Sequence, residues 1–361
     1  MIHFVIGTKA QLIKMAPIMA ELKKQNIPYH YISTGQHKDT MSEIQENFEI
    51  KGPDLHVYQG PDIVTISQML LWTIRILWAT LTQKKKIFMG DKNGIVLVHG
   101  DTFSTVLGAL MGKVARLKVA HVESGLRSFN IFQPFPEELT RLATFILSDY
   151  YFCPNDWAMN NLKKYRGTKI NTEANTLMDS LFRAIKVTET RNSEHVPETN
   201  YGVVTLHRFE NFKDHSSAEQ IVKSVEQIAA AKKLLFILHK PTEHNLKKHG
   251  FYDRIKANPN IELRPRYSYF PFVQLLLKAG FVVSDGGSNQ EECFYLGKPT
   301  LLLRNVTERK EGLGENAVLS EFQPQVIQEF LTNLETYRRP LKAQEQFPSK
   351  TIVSAIAQFS N

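Results

Sequence analysis

Short apolar runs alternate with longer amphipathic stretches from one end of the chain to the other. Ten of the runs predict strands: His3–Ile6, Tyr29–Ser33, Gly94–His99, Lys118–Val122, Tyr150–Cys153, Gly202–Leu206, Leu234–His239, Ile261–Arg264, Phe281–Ser284 and Thr300–Leu303. Several are continuous rather than alternating (VLVH, LLFIL, FVV, TLLL). A strand covered by helices on both faces is apolar on both sides, so these runs predict parallel sheets. Helical periodicity fills the intervals at Ala10–Lys24, Phe103–Ala115, Glu137–Leu147, Ala218–Ala231 and Gln323–Leu331. Strand–helix alternation of this kind predicts an α/β fold with two Rossmann-like, doubly wound parallel-sheet domains.

About five strands precede the stretch Thr168–Ser193 and about five follow it. Thr188–Asn200 (TETRNSEHVPETN) is polar and proline-bearing, as a surface loop is. We place the hinge at Gly167–Asn175. The N-terminal domain then spans 1–170 and the C-terminal domain 171–349, with the helix at 350–361 packing back on the first. One segment departs from the alternation. Ile63–Leu81 (IVTISQMLLWTIRILWATL) is strongly apolar and runs into Lys84-Lys85-Lys86. Gln68, Arg75 and several hydroxyls argue against a membrane span. Two readings remain: a helix buried at a domain or dimer interface, or an in-plane membrane helix with Trp72 and Trp78 at headgroup level and its lysines on anionic lipid.

Composition narrows the class. The 361 residues suggest two domains, and 42% hydrophobic with 22% charged residues is globular. The net charge of +8 fits phosphate-bearing ligands, nucleic acid or an anionic surface without choosing among them. Two cysteines far apart, Cys153 and Cys293, exclude a disulfide framework or a cysteine zinc cluster and fit a reducing cytoplasm. The start, MIHFVIGTKAQ, reads as a first strand rather than a signal peptide. Histidines number 12, yet none are spaced as a helical metal pair. The Walker, Gly-x-Gly-x-x-Gly and Gly-x-Ser-x-Gly patterns are absent, which speaks against nucleoside triphosphate hydrolysis, nicotinamide chemistry and an α/β-hydrolase.

Active sites of open α/β sheets lie beyond the carboxyl ends of the strands. The residues there form a non-random set: Gly7-Thr8-Lys9 leading to Lys14, Gly35-Gln36-His37, Gly100-Asp101-Thr102, Glu123 to Arg127, His207-Arg208, His239-Lys240, Asp285-Gly286-Gly287-Ser288-Asn289 and Arg304. One such residue is often only a helix cap; eight groups together are not. The Gly286–Asn289 turn opens a helix at Gln290–Leu296. Its glycines let a ligand approach, and a helix N-terminus favours an anion such as phosphate. The same turn also reads as a capping box, with Ser288 as N-cap and Glu291 near the third position. Asp101, Glu123 and Glu137 come from three elements and, if they converge, form an acid/base group. Glu137 alone also reads as a first-turn acid that complements the helix dipole. His207 and Arg208 read as diphosphate donors.

These blocks resemble the UDP-N-acetylglucosamine 2-epimerase family: GTKAQLIKMAPI (Gly7–Ile18), TGQH (Thr34–His37), VHGDTFST (Val98–Thr105), HVESGLRS (His121–Ser128), PFPEELTR (Pro134–Arg141), LHRFEN (Leu206–Asn211), SDGGSNQEECFYLGKP (Ser284–Pro299) and LLRNVTERKEG (Leu302–Gly312). The resemblance implies a glycosyltransferase-B arrangement with a nucleotide in a central cleft, a homodimer, and a UDP-sugar as partner rather than nucleic acid. It implies Asp101, Glu123 and Glu137 as acid/base carboxylates, with His207 near the diphosphate. Gly287 and Ser288 would bind phosphate through their backbone, Glu292 would hold the ribose hydroxyls, and Phe272 would lie beside uracil. Lys14 matches a family lysine, and Arg309 lies near the phosphates. Lys9, Arg141, Arg208, His239, Asn289 and Arg304 complete the substrate set. No cofactor and no metal are implied.

The implied reaction interconverts UDP-N-acetylglucosamine and UDP-N-acetylmannosamine by removal of the C2 proton and departure and return of UDP, for surface-polysaccharide precursors. The alternatives are the hydrolysing outcome, which releases N-acetylmannosamine and UDP, and a glycosyltransferase at the inner face of the membrane, with peripheral contact through Ile63–Lys86. Departures from the family pattern keep these open. The usual Gly-Thr-Arg-Pro-Glu reads Gly7-Thr8-Lys9-Ala10-Gln11, which keeps a charge but loses the guanidinium fork. His-Arg-Arg-Glu reads His207-Arg208-Phe209-Glu210, and Asp-Ser-Gly-Gly reads Asp285-Gly286-Gly287-Ser288.

Overall fold

The apolar runs become the centres of two all-parallel sheets in a computed structural model that describes residues 1–36, 41–60, 63, 66–131, 136–190, 196–197, 201–307 and 309–359. His37, Pro134-Phe135 and most of the Thr188–Asn200 loop lie outside the described residues. The first sheet contains β1 (Ile2–Ile6), β2 (Tyr29–Ser33), β3 (Leu55–His56), β4 (Ile95–His99), β5 (Lys118–Val122), β6 (Tyr150–Cys153) and β7 (Thr168–Asn171). The second contains β8 (Gly202–Leu206), β9 (Leu234–Leu238), β10 (Ile261–Pro265), β11 (Phe281–Ser284), β12 (Thr300–Leu302) and β13 (Ala317–Leu319). All five residues of each of β1, β2, β4, β8 and β9 are buried, as continuous apolar runs require.

The sheet orders are β3-β2-β1-β4-β5-β6-β7 and β10-β9-β8-β11-β12-β13. Ile2 pairs with Tyr29 on one side and Ile95 on the other, while Gly202 pairs with Leu234 and Phe281. Strand order therefore reverses at β1/β4 and at β8/β11, the places where such sheets open a crevice. Three strands escaped the sequence pattern: β3, β7 and β13. Each is short and lies at a sheet edge, so it carries no continuous apolar run.

The chain divides into two compact units, Met1–Arg183 with Gln344–Asn361, and Ala184–Ala343. A boundary at 170 would strip β7 from β6, to which it pairs from Tyr150↔Thr168 to Cys153↔Asn171; the division falls instead within the Thr176–Thr190 helix. In the first unit the C-terminal helix Pro348–Ile356 packs on the helix Lys9–Lys24. Asp179 anchors this return, accepting from the Ser349 amide and the Gln344 side chain at 2.8 Å each.

The apolar segment forms the helix Ile66–Ile87. Its inner face carries Trp72, Ile76 and Thr80, all buried, and the Trp72 indole N–H donates to the Thr34 carbonyl at 2.8 Å. The placement of both tryptophans at a membrane surface is thus corrected: Trp72 is a core residue. Leu70, Leu71, Ile74, Trp78 and Leu81 are exposed, Trp78 to 64%. Among the described residues no helix is long and apolar enough to cross a membrane.

The core of the first unit predicts its response to acid. His3 lies 3.0 Å from Asp91 and 3.2 Å from His30, and His121 lies under the β4–β5 strand ends. Burial pulls His3 and His121 down to about 4 and also lowers His30. From about pH 6.5 downward the unfolded chain binds protons that the folded unit refuses until near pH 4, so stability falls through that window, on the order of 3 kcal/mol for each fully shifted ring. Asp179, pushed up to about 6 by burial, runs the other way and offsets part of the loss below pH 6. Urea midpoints measured between pH 7.5 and 5 should therefore drop, starting above pH 6.

Candidate functional site

In the first unit the site begins where β1 ends. Thr8 caps the helix Lys9–Lys24 in a capping box with Gln11. A side chain at Gly7 would lie 2.5 Å from the Thr34 hydroxyl and 2.6 Å from Ser104, so only glycine fits there. The Gln11 amide ties this turn to β4. Its oxygen accepts from the Gly7 and Thr8 amides and the Ser104 hydroxyl, and its nitrogen donates to the His99 carbonyl and the Thr105 hydroxyl, both at 3.0 Å. A glutamate in this place could not make the two donor bonds. Lys9 is buried at the helix start.

Further along the same helix, Lys14 reaches the end of β5. Its Nζ lies 2.7 Å from Glu123 Oε2, and His99 Nε2 lies 3.3 Å from the same oxygen. Glu123 adopts a left-handed backbone, φ 62, which costs a non-glycine residue about 1–3 kcal/mol. The adjoining ladder holds it there: Gly100 N–H donates to the Val122 carbonyl at 3.0 Å and Ser124 N–H to the Phe152 carbonyl at 2.9 Å.

At the end of β4, Asp101 is partly exposed and its carboxylate is bonded to the Arg141 guanidinium. Thr140 brings Glu137 to the same place: its hydroxyl lies between the carbonyls of Asp101 and Glu137, bonded to the first and 2.8 Å from the second. Glu137 opens the helix Glu137–Leu147, where Pro136 offers no side-chain cap.

Two supporting residues escaped sequence reasoning. Glu138 reads as a surface acid, yet it is fully buried. It takes the Arg127 guanidinium, the Ser128 amide at 3.0 Å and Arg141 Nη1 at 3.5 Å. Burial pushes its carboxyl up, but the Ser128 amide and the two arginines outweigh this and hold it below its usual range. His121 looked like an ordinary strand residue. Its ring joins the Gly100 carbonyl (2.7 Å) to the Ser124 hydroxyl (3.0 Å), and burial keeps it neutral. A signal for Glu138 was present: Arg127 precedes it and Arg141 follows at i+3, a cation on either side.

In the second unit, β8 and β11 deliver His207, Arg208 and the Asp285–Asn289 turn side by side. Asp285, fully buried, accepts from the backbone amides of His207 and Arg208 and from the Asn211 side chain at 2.8 Å. Its carboxyl suffers desolvation, but His207 and these amides more than compensate and keep it below its ordinary value. His207 Nδ1 lies 3.2 Å from Asp285 Oδ1, with its ring part-exposed and 5.2 Å from that of His239. Burial, aided by His207 and Arg266, lowers His239 to about 4.

The helix after β11 spans Gly287–Leu296 with Gly286 as its N-cap, which corrects the capping box centred on Ser288. Ser288 is exposed at the second helical position, and Glu291 instead binds Arg309 Nη1 at 2.6 Å in a buried pair. Gln290 fixes that segment too, donating to the Arg309 and Glu311 carbonyls at 3.2 and 2.9 Å and accepting from Thr307. Arg304 and Glu292 are buried, and Phe272 is half-buried on the helix Tyr269–Lys278. Among the described residues no group of three or more histidine, cysteine or acidic side chains is set to hold a metal.

Carboxylates gathered at the strand ends of one Rossmann-like sheet, and a glycine turn with histidine and arginine at those of another, define a two-domain α/β protein of the glycosyltransferase-B-like type. The family model described as UDP-N-acetylglucosamine 2-epimerase matches residues 20–358, and the chain belongs to that family. It is similar to the UDP-N-acetylglucosamine 2-epimerases of Neisseria meningitidis serogroup A, at 31% identity over 92% of this chain and 90% of that protein, and of Methanocaldococcus jannaschii, at 30% over 90% of each. The crystal structure of the Neisseria meningitidis enzyme bound to UDP-GlcNAc superposes with a TM-score of 0.85 at 28% identity, covering 99% of both chains.

Proposed function

We propose that this chain is a UDP-N-acetylglucosamine 2-epimerase that interconverts UDP-N-acetylglucosamine and UDP-N-acetylmannosamine. The observation that carries the proposal is the pairing, at adjacent strand ends, of Glu123 with Lys14 and His99 and of Asp101 with Arg141, in a chain of this family. Two of the carboxylates Asp101, Glu123 and Glu137 divide the proton transfers. One takes the C2 proton as the C1–O bond breaks and UDP leaves with the electron pair, giving a 2-acetamidoglucal. The UDP oxygen then adds back to C1 while another group delivers a proton to the opposite face of C2. His207, Arg208, Lys9 and the Gly287–Ser288 amides take the charge of the departing diphosphate. Phe272 lies against uracil and Glu292 grips the ribose. Arg141, His239, Asn289, Arg304 and Arg309 bind or support the substrate.

Incubation with UDP-N-acetylglucosamine in deuterated water tests this. Both epimers should acquire deuterium at C2. Free N-acetylmannosamine as the product would make it the hydrolysing enzyme. No exchange, with UDP released only when an acceptor is added, would make it a transferase.

The exposed stripe Leu70, Leu71, Ile74, Trp78 and Leu81 is the surface we assign to pairing with a second copy, since such a row seldom faces water unpartnered. A second reading, peripheral contact of a cytoplasmic protein with the inner face of a membrane, is favoured by the exposed Lys84-Lys85-Lys86 and by the lack of any acidic residue in the Ile66–Ile87 helix. The double change Ile74→Glu and Trp78→Glu should turn a dimer into a monomer in sedimentation. A wild-type monomer that co-sediments with anionic vesicles, and loses them in salt, would favour the membrane.

A further inference from the structure

We infer that Asn289 is a positioning residue for recognition of the ribose, linking the turn that meets the diphosphate to the carboxylate of Glu292; the inference rests on the ribose role proposed for Glu292. Asn289 occupies the third position of the Gly287–Leu296 helix, one helical turn before Glu292. Its Nδ2 donates to Glu292 Oε2 at 3.0 Å. Its Oδ1 accepts from the Ser284 hydroxyl at 3.2 Å, and Ser284 Oγ in turn accepts from the Gly286 amide at 3.0 Å. One side chain thus joins the N-cap of the helix to a buried acid. The space around it is tight: a Cβ on Gly286 would lie 3.0 Å from Asn289 Oδ1 and 2.7 Å from His207 Cε1.

A carboxylate that receives two vicinal hydroxyls must present its acceptor positions in one rotamer. The Asn289 amide supplies a donor to Glu292 Oε2 while its oxygen accepts from Ser284, and turning the amide over would set its oxygen against the carboxylate, which can only accept. Neither contact touches the hexose. Loss of Asn289 is therefore expected in the binding of the nucleoside, with the chemical step preserved.

The test is calorimetric binding of UDP and of 2′,3′-dideoxyuridine diphosphate, which lacks both ribose hydroxyls, to the wild type, Asn289→Leu, Asn289→Ala and Glu292→Gln. For both Asn289 variants, UDP affinity should fall roughly tenfold, as loss of a hydrogen bond to a charged group predicts. Affinity for the dideoxy analogue should hardly change, so the ratio of the two collapses. KM should rise with kcat kept within about threefold, and the Asn289→Ala/Glu292→Gln pair should be non-additive. If the wild type does not distinguish the two nucleotides, the ribose reading of Glu292 fails and this inference with it. If it does and both Asn289 variants keep the ratio, or weaken both ligands alike, Glu292 stands and the role of Asn289 is overturned.

Discussion

Asp101→Asn should lower turnover of UDP-N-acetylglucosamine by about 10²–10⁴-fold, the usual worth of a general acid or base, while UDP affinity stays within about an order of magnitude. The substitution preserves size and leaves an oxygen for Arg141 to bind. It removes the negative charge that faces Arg141 and, with it, the ability to take up and return a proton. Arg141 keeps its second partner, Glu138, at 3.5 Å, so the guanidinium has no cause to move. Single-turnover kinetics with and without solvent deuterium, alongside UDP binding, separate the chemical step from binding. Turnover within a few-fold of wild type would remove Asp101 from the proton transfers and leave Glu123 and Glu137 as the pair.

Glu138→Gln should destabilise the first unit by about 3–5 kcal/mol, since it removes the anion from a buried cluster and leaves Arg127 and Arg141 facing a neutral amide. The contribution of Glu138 depends on pH in a defined direction. Its carboxyl is depressed on folding, so its stabilisation is present above the ordinary carboxylate range and is lost as pH falls from there towards the folded value. The urea midpoint of the variant should therefore lie well below that of the wild type at pH 7, and the two should approach each other in acid. Activity should fall as well, because Arg141 would lose the partner that holds it beside Asp101. A variant with wild-type stability at neutral pH would show that the two arginines find other anions or solvent.

Much of the scaffold was legible because burial on both faces leaves a direct trace. Runs such as VLVH and LLFIL are central strands of parallel sheets, and five of the ten expected strands match to the residue while the other five differ by one residue at one end. The edge strands Leu55–His56, Thr168–Asn171 and Ala317–Leu319 left no such trace, because half-exposed backbone pairing needs no apolar run. The division of the chain differs from the expected boundary for the same reason, since the expected hinge at Gly167–Asn175 contains one of these edge strands. Within the site, residues at strand ends were found by topology, as with Asp101, Glu123, His207 and Gly287. Glu138, His121 and Asp285 hold those residues in place and were not assigned roles.

The amino-acid sequence by itself determined the class of fold, the family and the strand ends at which chemistry gathers, since each follows from local patterns: apolar runs, helical spacing and short blocks in a set order. Only the tertiary structure decided which charges meet. Lys14 and Glu123 are separated by 109 residues along the chain, and no local pattern encodes a contact across sheet strands. It also decided that Trp72 is core while Trp78 faces outward, because six residues along a helix turn a side chain well away from the first, and which side lies against the sheet is settled by packing rather than by composition.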